Sequence, residues 1–494
     1  MALKQRTRCN VLSSRFVSSV QVVVALTLCL WIPRLACAAN PQASSDPLIV
    51  VDASHGIRIN PLLYGANNIW YWVPQTSFDA YTDSLRENAG VKLLRYPGGF
   101  ESEHYNWSNN TLDPSYKNYT ATPGGSPADA IYDMGTRHVS FVMPTEAAFF
   151  ANTPEAFQSG ATQAAQLVTQ YGGQVTDWEI GNEWFHFGGA PKNYNEYLQR
   201  YAEIVSYYVP AMKAAAARSS FHIHVYISSN WVYPTDMTTM QQYITPAIWA
   251  QVDGIDVHVY TGISPGTGSP YPPPPISMIP SYIAQIKRNS GKNLIYASEW
   301  AADLNDNNHY GGLQNANVMM QLFGQLALSG VSMATYWPPV AASKAQADTI
   351  TFLHDSVPYT VDADGQAFQW LSKSYRGEAL STQVLNSTVT CLAAKGHGHQ
   401  LVVFVMSGDQ SINETETVQV TGYHWGKIVS AQVMWASAAN VGRGPANMRA
   451  INAKKVNLHG REAVQFTVNP GGNNRGDGWE IVKLVLGSRG RNKE

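Results

Sequence analysis

The chain has 494 residues, enough for one barrel of about 250 residues or somewhat more together with a smaller companion domain. Charged residues make up 14% of it and the formal net charge is -2, so there is no basic footprint for nucleic acid or an anionic membrane, and a neutral, soluble partner is expected. Aromatic residues reach 11%, with 14 Trp and 26 Tyr, a supply of flat apolar faces with polar edges that suits sugar rings.

The first residues carry Lys4, Arg6, Arg8 and Arg15, then an apolar run over 20–32, then Ala36-Cys37-Ala38 as small residues at a cleavage site. This pattern predicts a secretory signal over residues 1–38. The apolar run falls short of the roughly 20 residues a bilayer span needs, so a secreted or periplasmic protein is expected, with no membrane attachment once the signal is removed. Arg34 stands where lipidation of Cys37 would want Leu. Three of the four cysteines, Cys9, Cys29 and Cys37, lie in this leader. Only Cys391 remains, which precludes an internal disulfide and is expected to pack as a small hydrophobe. Asn-x-Ser/Thr triplets stand at Asn106, Asn109, Asn118, Asn386 and Asn413, but the leader and the missing disulfides lean towards a bacterial host.

In chain order, a strand is predicted over 48–52, followed by eight apolar, β-branched runs over 62–67, 92–96, 139–144, 175–181, 222–228, 254–260, 294–299 and 332–337. Most are near-continuous rather than alternating, the mark of parallel strands covered on both faces. Helical segments lie between them, among them 153–171, opened by Thr153-Pro154-Glu155, and 193–217 and 313–328. Eight βα units without a Gly-x-Gly-x-x-Gly turn after the first strand point to a closed (β/α)8 TIM barrel over residues 45–377 rather than a doubly wound sheet. One Pro- and Gly-rich stretch, 262–275, is expected to wall the cleft. From about residue 378 the texture changes to short strands over 389–393, 400–406, 416–420, 428–435, 463–468 and 479–486, separated by turns such as Ser407-Gly408-Asp409. This predicts an all-β sandwich over 378–487, with the strand 48–52 placed to join it.

Barrel enzymes carry their reacting groups at the carboxyl ends of the strands. The fourth strand ends in Asp177-Trp178-Glu179-Ile180-Gly181-Asn182-Glu183-Trp184, and the seventh in Tyr296-Ala297-Ser298-Glu299-Trp300. Two carboxylates at one mouth can divide glycosidic cleavage, one donating a proton while the other attacks the anomeric carbon, if they stand about 5–5.5 Å apart. A raised Glu183 pKa is expected, to keep that acid protonated. Glu179 lies four residues earlier and is expected to pair with Arg95 or a similar cation. No His/Cys/Asp set with metal-ligand spacing accompanies His258, so no metal and no cofactor are expected.

Gly181-Asn182-Glu183 on strand four with a strand-seven glutamate resembles glycoside hydrolase clan A. Leu94-Arg95-Tyr96-Pro97-Gly98-Gly99 and Tyr64-Gly65-Ala66-Asn67-Asn68 narrow the resemblance to its arabinofuranosidase, β-xylosidase and heparanase-like β-glucuronidase families, which also carry a β-sandwich behind the barrel. The resemblance implies a retaining mechanism with Glu183 as general acid/base and Glu299 as nucleophile. It implies that Asn182 binds the hydroxyl next to the anomeric carbon, that Arg95 supports ionised Glu299, and that His258 and Tyr260 line the site near the nucleophile. Trp337 looks like the floor under the reacting sugar, and Asn68, Trp70 and Trp72 extend the binding surface. A transglycosylase using the same glutamates and a non-catalytic carbohydrate-binding barrel are the competing readings. Sparse basic residues near the strand tips, beyond Arg95, Lys117 and Arg137, disfavour a uronic-acid substrate.

Overall fold

The computed structural model describes residues 47–113, 124–187, 193–261, 275–302, 312–340, 351–354, 357–396, 400–407, 414–435, 445–468 and 479–488. The predicted leader, the 262–274 stretch, Lys117 and the triplets at Asn118 and Asn413 lie outside these residues. None of the described helices is long and apolar enough to cross a membrane.

Strand β1 (Leu48–Arg58) runs first, and the barrel follows with β2 (Gly65–Asn67) and β3 (Leu93–Tyr96). A two-stranded hairpin, β4 (Tyr105–Asn106) and β5 (Thr111–Leu112), interrupts it before β6 (Val139–Met143), β7 (Asp177–Ile180), β8 (His224–Ser229), β9 (Gly254–Thr261), β10 (Leu294–Ala302) and β11 (Met333–Tyr336). The eight strands close in the order β2-β3-β6-β7-β8-β9-β10-β11, with β11 pairing back onto β2. Every residue of β3, β6, β7 and β11 is buried, which is why these strands read as unbroken apolar runs.

The helix Pro154–Tyr171 begins where Thr153 accepts from Ala156 N and Pro154 occupies the first turn, while Pro127–Met134 is opened by a reciprocal Ser126–Asp129 capping box. Inside the barrel, Leu93, Tyr226, Tyr296 and Met333 form an apolar plug. Two residues further along the strands the inward positions turn polar, with Arg95 above Leu93 and Ser228 above Tyr226. That change of character follows from the period of two and raises a polar chamber at the mouth end.

The C-terminal strands are β12 (Glu378–Leu385), β13 (Thr390–Gly396), β14 (Gln400–Met406), β15 (Glu414–Thr421), β16 (Trp425–Trp435), β17 (Asn447–Ala450), β18 (Ala453–Leu458), β19 (Arg461–Val468) and β20 (Glu480–Ser488). They hydrogen-bond in one continuous order, β17-β16-β20-β14-β13-β12-β1-β15-β19-β18. This sheet curls around its own core of Ile49, Val51, Val403, Val405, Val418 and Leu484 until its ends meet, with Lys455 Nζ 5.1 Å above the Trp425 ring. The result is a sandwich-like layer pair made from a single ribbon of strands. β1 lies in the middle of it, antiparallel to β12 and parallel to β15, so the segment that leads into the barrel is stitched into the other layer. Cys391 is a free thiol buried in that core, and burial drives its pKa upward, as for an inert packed group.

Candidate active site

Glu183 follows β7 across a turn that needs unusual backbone. Gly181 has φ +74°, and a Cβ there would stand 2.4 Å from Thr145 Oγ1. Glu183 itself is left-handed at φ 46°, ψ 45°, a conformation that costs a non-glycine residue of order 1 kcal/mol or more and persists only where the surroundings enforce it. The enforcing group is Glu103. Its carboxylate is buried and accepts from Asn182 N at 2.5 Å, Thr145 N at 2.5 Å and Glu146 N at 2.7 Å. Burial raises Glu103 to about 7 against the pull of these backbone donors.

Glu299 reaches the same chamber by a different device. Strict alternation from inward-facing Tyr296 would turn Ser298 inward and Glu299 out. The pairing of β10 with β9 slips there, from Ala297↔Val257 to Glu299↔His258, and this bulge brings Glu299 onto the inner face beside His258. Arg95 Nη1 donates to its Oε1 at 2.7 Å and Tyr260 OH to its Oε2 at 2.6 Å.

His258 sits between the two carboxylates. Its Nδ1 stands 2.9 Å from Glu183 Oε1 and 3.4 Å from Glu299 Oε2, and one ring nitrogen and one oxygen of each carboxylate lie within 4.8 Å of one another. Burial alone would lower the imidazole pKa, but the charge of Glu299 and the hydrogen bond and charge of Glu183 raise it to about 9. For Glu183, burial pushes the pKa up, yet the His258 hydrogen bond and charge outweigh it and the net direction is downward. The raised pKa expected from the sequence is therefore overturned in this state of the protein. The imidazole beside it, with its pKa raised to about 9, carries the proton that the carboxyl was expected to keep.

Arg95 is fully buried and spends every donor. Nε and Nη2 grip Glu179 at 2.8 and 2.7 Å, Nη2 also reaches Asn182 Oδ1 at 2.9 Å, and Nη1 bridges Asn67 Oδ1 at 3.0 Å and Glu299. Glu179 is thus the ion-pair partner of Arg95. Asn182 turns its Oδ1 to that cation, while its Nδ2 is buried without a hydrogen-bond partner among the described residues.

The aromatic expectations divide. Trp337 follows β11, is half-buried, and packs 6.5 Å from Trp72, its ring against Gly99, where a Cβ would meet Trp337 Cη2 at 2.3 Å. Trp70, expected to extend the binding surface, is only 1% exposed. Its Nε1 donates to Asn110 Oδ1 at 2.9 Å, Tyr105 packs edge-on 5.7 Å away, and Gly124 closes over its ring, so it is a core residue with no free face. Asn68 is buried, its side-chain amide without a hydrogen-bond partner among the described residues, and its neighbour Asn67 is the one that holds Arg95.

Three further carboxyls escaped the sequence reading. Besides Glu103, Glu101 is raised to about 8 by burial, with the Glu299 charge adding to it, and its Oε2 has no hydrogen-bond partner among the described residues. Asp256 on β9 lies 4.0 Å from His258 Nε2 and is held well above the carboxylate range by burial and the Glu179 charge. The groupings Glu183/His258/Glu299 and Glu179/Asp256/His258 bring metal-type donors together. In each, however, one carboxylate is taken by Arg95 and the histidine has the raised pKa of an imidazolium, a poor setting for a further cation.

No protein-family model matches the sequence, and no curated protein matches it. Among solved structures, the chain is similar to the family 51 arabinofuranosidase from Xanthomonas axonopodis pv. citri, at TM-score 0.62 and 15% identity over 89% of this chain and 99% of that one. The chain shares its fold with clan A glycoside hydrolases. A family 51 α-L-arabinofuranosidase from Bifidobacterium longum gives TM-score 0.61 at 13% identity, covering 89% of this chain and 99% of its own. A family 44 xyloglucanase from Paenibacillus polymyxa gives 0.55 at 13% identity, covering 90% and 100%. The likeness thus spans the barrel and the β-sandwich together.

Proposed function

We propose that this protein is an exported retaining glycoside hydrolase that cleaves a plant or microbial polysaccharide or oligosaccharide, with Glu299 as nucleophile and Glu183 as general acid/base. The observation that carries the reading is the meeting of the two carboxylates at His258, whose Nδ1 stands 2.9 Å from Glu183 Oε1 and 3.4 Å from Glu299 Oε2, with one oxygen of each within 4.8 Å of the other. That spacing suits direct attack on the anomeric carbon, whereas an inverting pair stands about 6.5–9.5 Å apart to admit a water. The leader pattern at residues 1–38 supports export.

In the first step the Glu299 carboxylate, aimed by Arg95 and Tyr260, attacks the anomeric carbon as the glycosidic oxygen leaves with a proton from Glu183. His258 supplies that proton through its 2.9 Å contact with Glu183. Water then attacks the glycosyl ester, giving its proton back to the Glu183–His258 pair. Asn182 Nδ2 offers a donor to the sugar, and Trp337 a ring for it to rest on. Arabinofuranosides, xylosides and β-glucans come first as substrates to screen, because the fold neighbours are named for arabinofuran, xyloglucan and glucan-xylan hydrolysis.

The test follows the anomer first released by NMR on the best aryl glycoside, which is expected to keep the substrate's configuration. In Glu183→Ala, glycosides with poor leaving groups should lose about 10²–10⁴-fold in kcat/KM, and activated aryl glycosides far less, because only the former need the acid. Initial inversion, or equal losses for both leaving groups, would remove the assigned roles.

A pH experiment probes His258. Its pKa lies above the ordinary 6.5, so its protonated form is complete below that value and is lost as pH rises through about 9. The basic limb of kcat/KM should fall near there. His258→Gln takes away the imidazolium that lowers Glu183, leaving Glu183 alone to hold the proton, and should move the limb to lower pH by about one unit or more. An unmoved limb would show that His258 does not share the catalytic proton.

A further inference from the structure

At the amino-terminal end of the barrel strands, opposite the mouth, a cavity of about 750 Å³ opens where the barrel floor meets the C-terminal sheet. Four cations reach it from four separate elements: Arg58 at the end of β1, Lys92 just before β3, Arg376 after the helix Ala363–Ser374, and Lys395 on β13. Only Lys395 has a carboxylate, Glu378 at 2.8 Å. Arg58, Lys92 and Arg376 make no ion pair among the described residues. Arg376 Nε is occupied by the Ser372 carbonyl, which fixes the guanidinium in place. A second cavity of about 350 Å³ shares Lys92, Ser372 and Arg376 with the first and adds Lys373 and the Arg86–Glu87 pair.

A chain of net charge -2 has no overall reason to leave these cations uncompensated in one concave place. Like charges held together in a cleft raise the local potential, and an oxyanion entering there relieves that repulsion while gaining charge-assisted hydrogen bonds. We propose that this floor cleft is a binding site for a small multivalent oxyanion, whose carboxylate, sulfate or phosphate groups bridge Arg58, Lys92 and Arg376. The site is separate from the Glu183–Glu299 mouth and does not depend on the reading of that mouth. Two sources carry the chemistry, an acidic oligosaccharide and free inorganic phosphate or pyrophosphate.

Calorimetric titration of the whole protein with trigalacturonate, with pyrophosphate and with a neutral trisaccharide distinguishes them. At least one anion should bind, the neutral sugar should not compete with it, and affinity should fall steeply with added salt. Arg58→Glu combined with Lys92→Gln should weaken binding about tenfold or more. Arg376→Gln, made alone, is the second variant should the first not fold, with thermal melting as the check on each. Glu299→Gln should bind the anion like the wild type. The proposal is overturned if neither anion binds, if binding ignores salt, or if it survives in folded variants of both kinds.

Discussion

Replacing Glu299 by Gln is expected to lower kcat on aryl glycosides by about 10⁵-fold while leaving the fold intact, since the attacking carboxylate is lost. The geometry makes this residue the one prepared for attack. Its two oxygens receive Arg95 Nη1 and Tyr260 OH at 2.7 and 2.6 Å, donors that fix its direction. A substrate analogue with a good leaving group whose glycosyl ester hydrolyses slowly should add the mass of one glycosyl residue to the wild type, with the label on the peptide carrying Glu299. Glu299→Ala opens a gap that azide can enter, and the product should be a glycosyl azide of inverted configuration, formed by a single displacement from the nucleophile's side. Substantial turnover in Glu299→Gln, or label on another residue, would sink the assignment.

The barrel was legible because its strands are buried on both faces and read as apolar runs bounded by turns. The C-terminal sheet was less so, and the reason is exposure. All four residues of β17 are exposed, and β18 has no buried residue, so neither shows the apolar alternation that marks a strand. β12 loses its pattern in the same way after Leu380. At the mouth, Glu183 and Glu299 stood out as acids at strand tips, but the bulge that turns Glu299 inward leaves no composition signal, and alternation alone would have aimed it outward. Asn67 and Asn68 are adjacent and chemically identical, and only the register Asn67↔Arg95 reveals which one holds the guanidinium. Glu101 and Glu103 sit in a polar stretch that reads as an ordinary loop. Their burial comes from the short helix Phe100–Glu103 folding under the turn of Asn182, a contact far apart in sequence. The direction of the Glu183 pKa reversed for the same reason. Indoles and a second carboxylate were visible nearby in the strand-tip motifs, while the imidazole that outweighs them arrives from β9.

Arg95→Met should be damaging in two separable ways. The guanidinium is 0% exposed and neutralises Glu179 and Glu299, so its removal leaves uncompensated buried carboxylates at a cost of about 3–5 kcal/mol. For a domain pair of this size that corresponds to a fall in Tm of roughly 3–5 °C. Activity should fall as well, by about 10²–10³-fold, because Glu299 loses the donor that orients it and Asn182 loses the anchor on its Oδ1. The double variant Arg95→Met/Glu179→Gln separates the two effects. Removing the second charge relieves the buried imbalance and should recover most of the stability, since deleting both members of a buried pair costs far less than deleting one. It cannot restore the contacts to Glu299 and Asn182, so kcat should stay low. Arg95→Lys makes the complementary point. It keeps the charge but not the planar fork that reaches Glu179, Asn67, Asn182 and Glu299 together, and should preserve more stability than activity. If instead activity returned along with stability in the Arg95→Met/Glu179→Gln variant, Arg95 would be a structural counter-ion for Glu179 and nothing more.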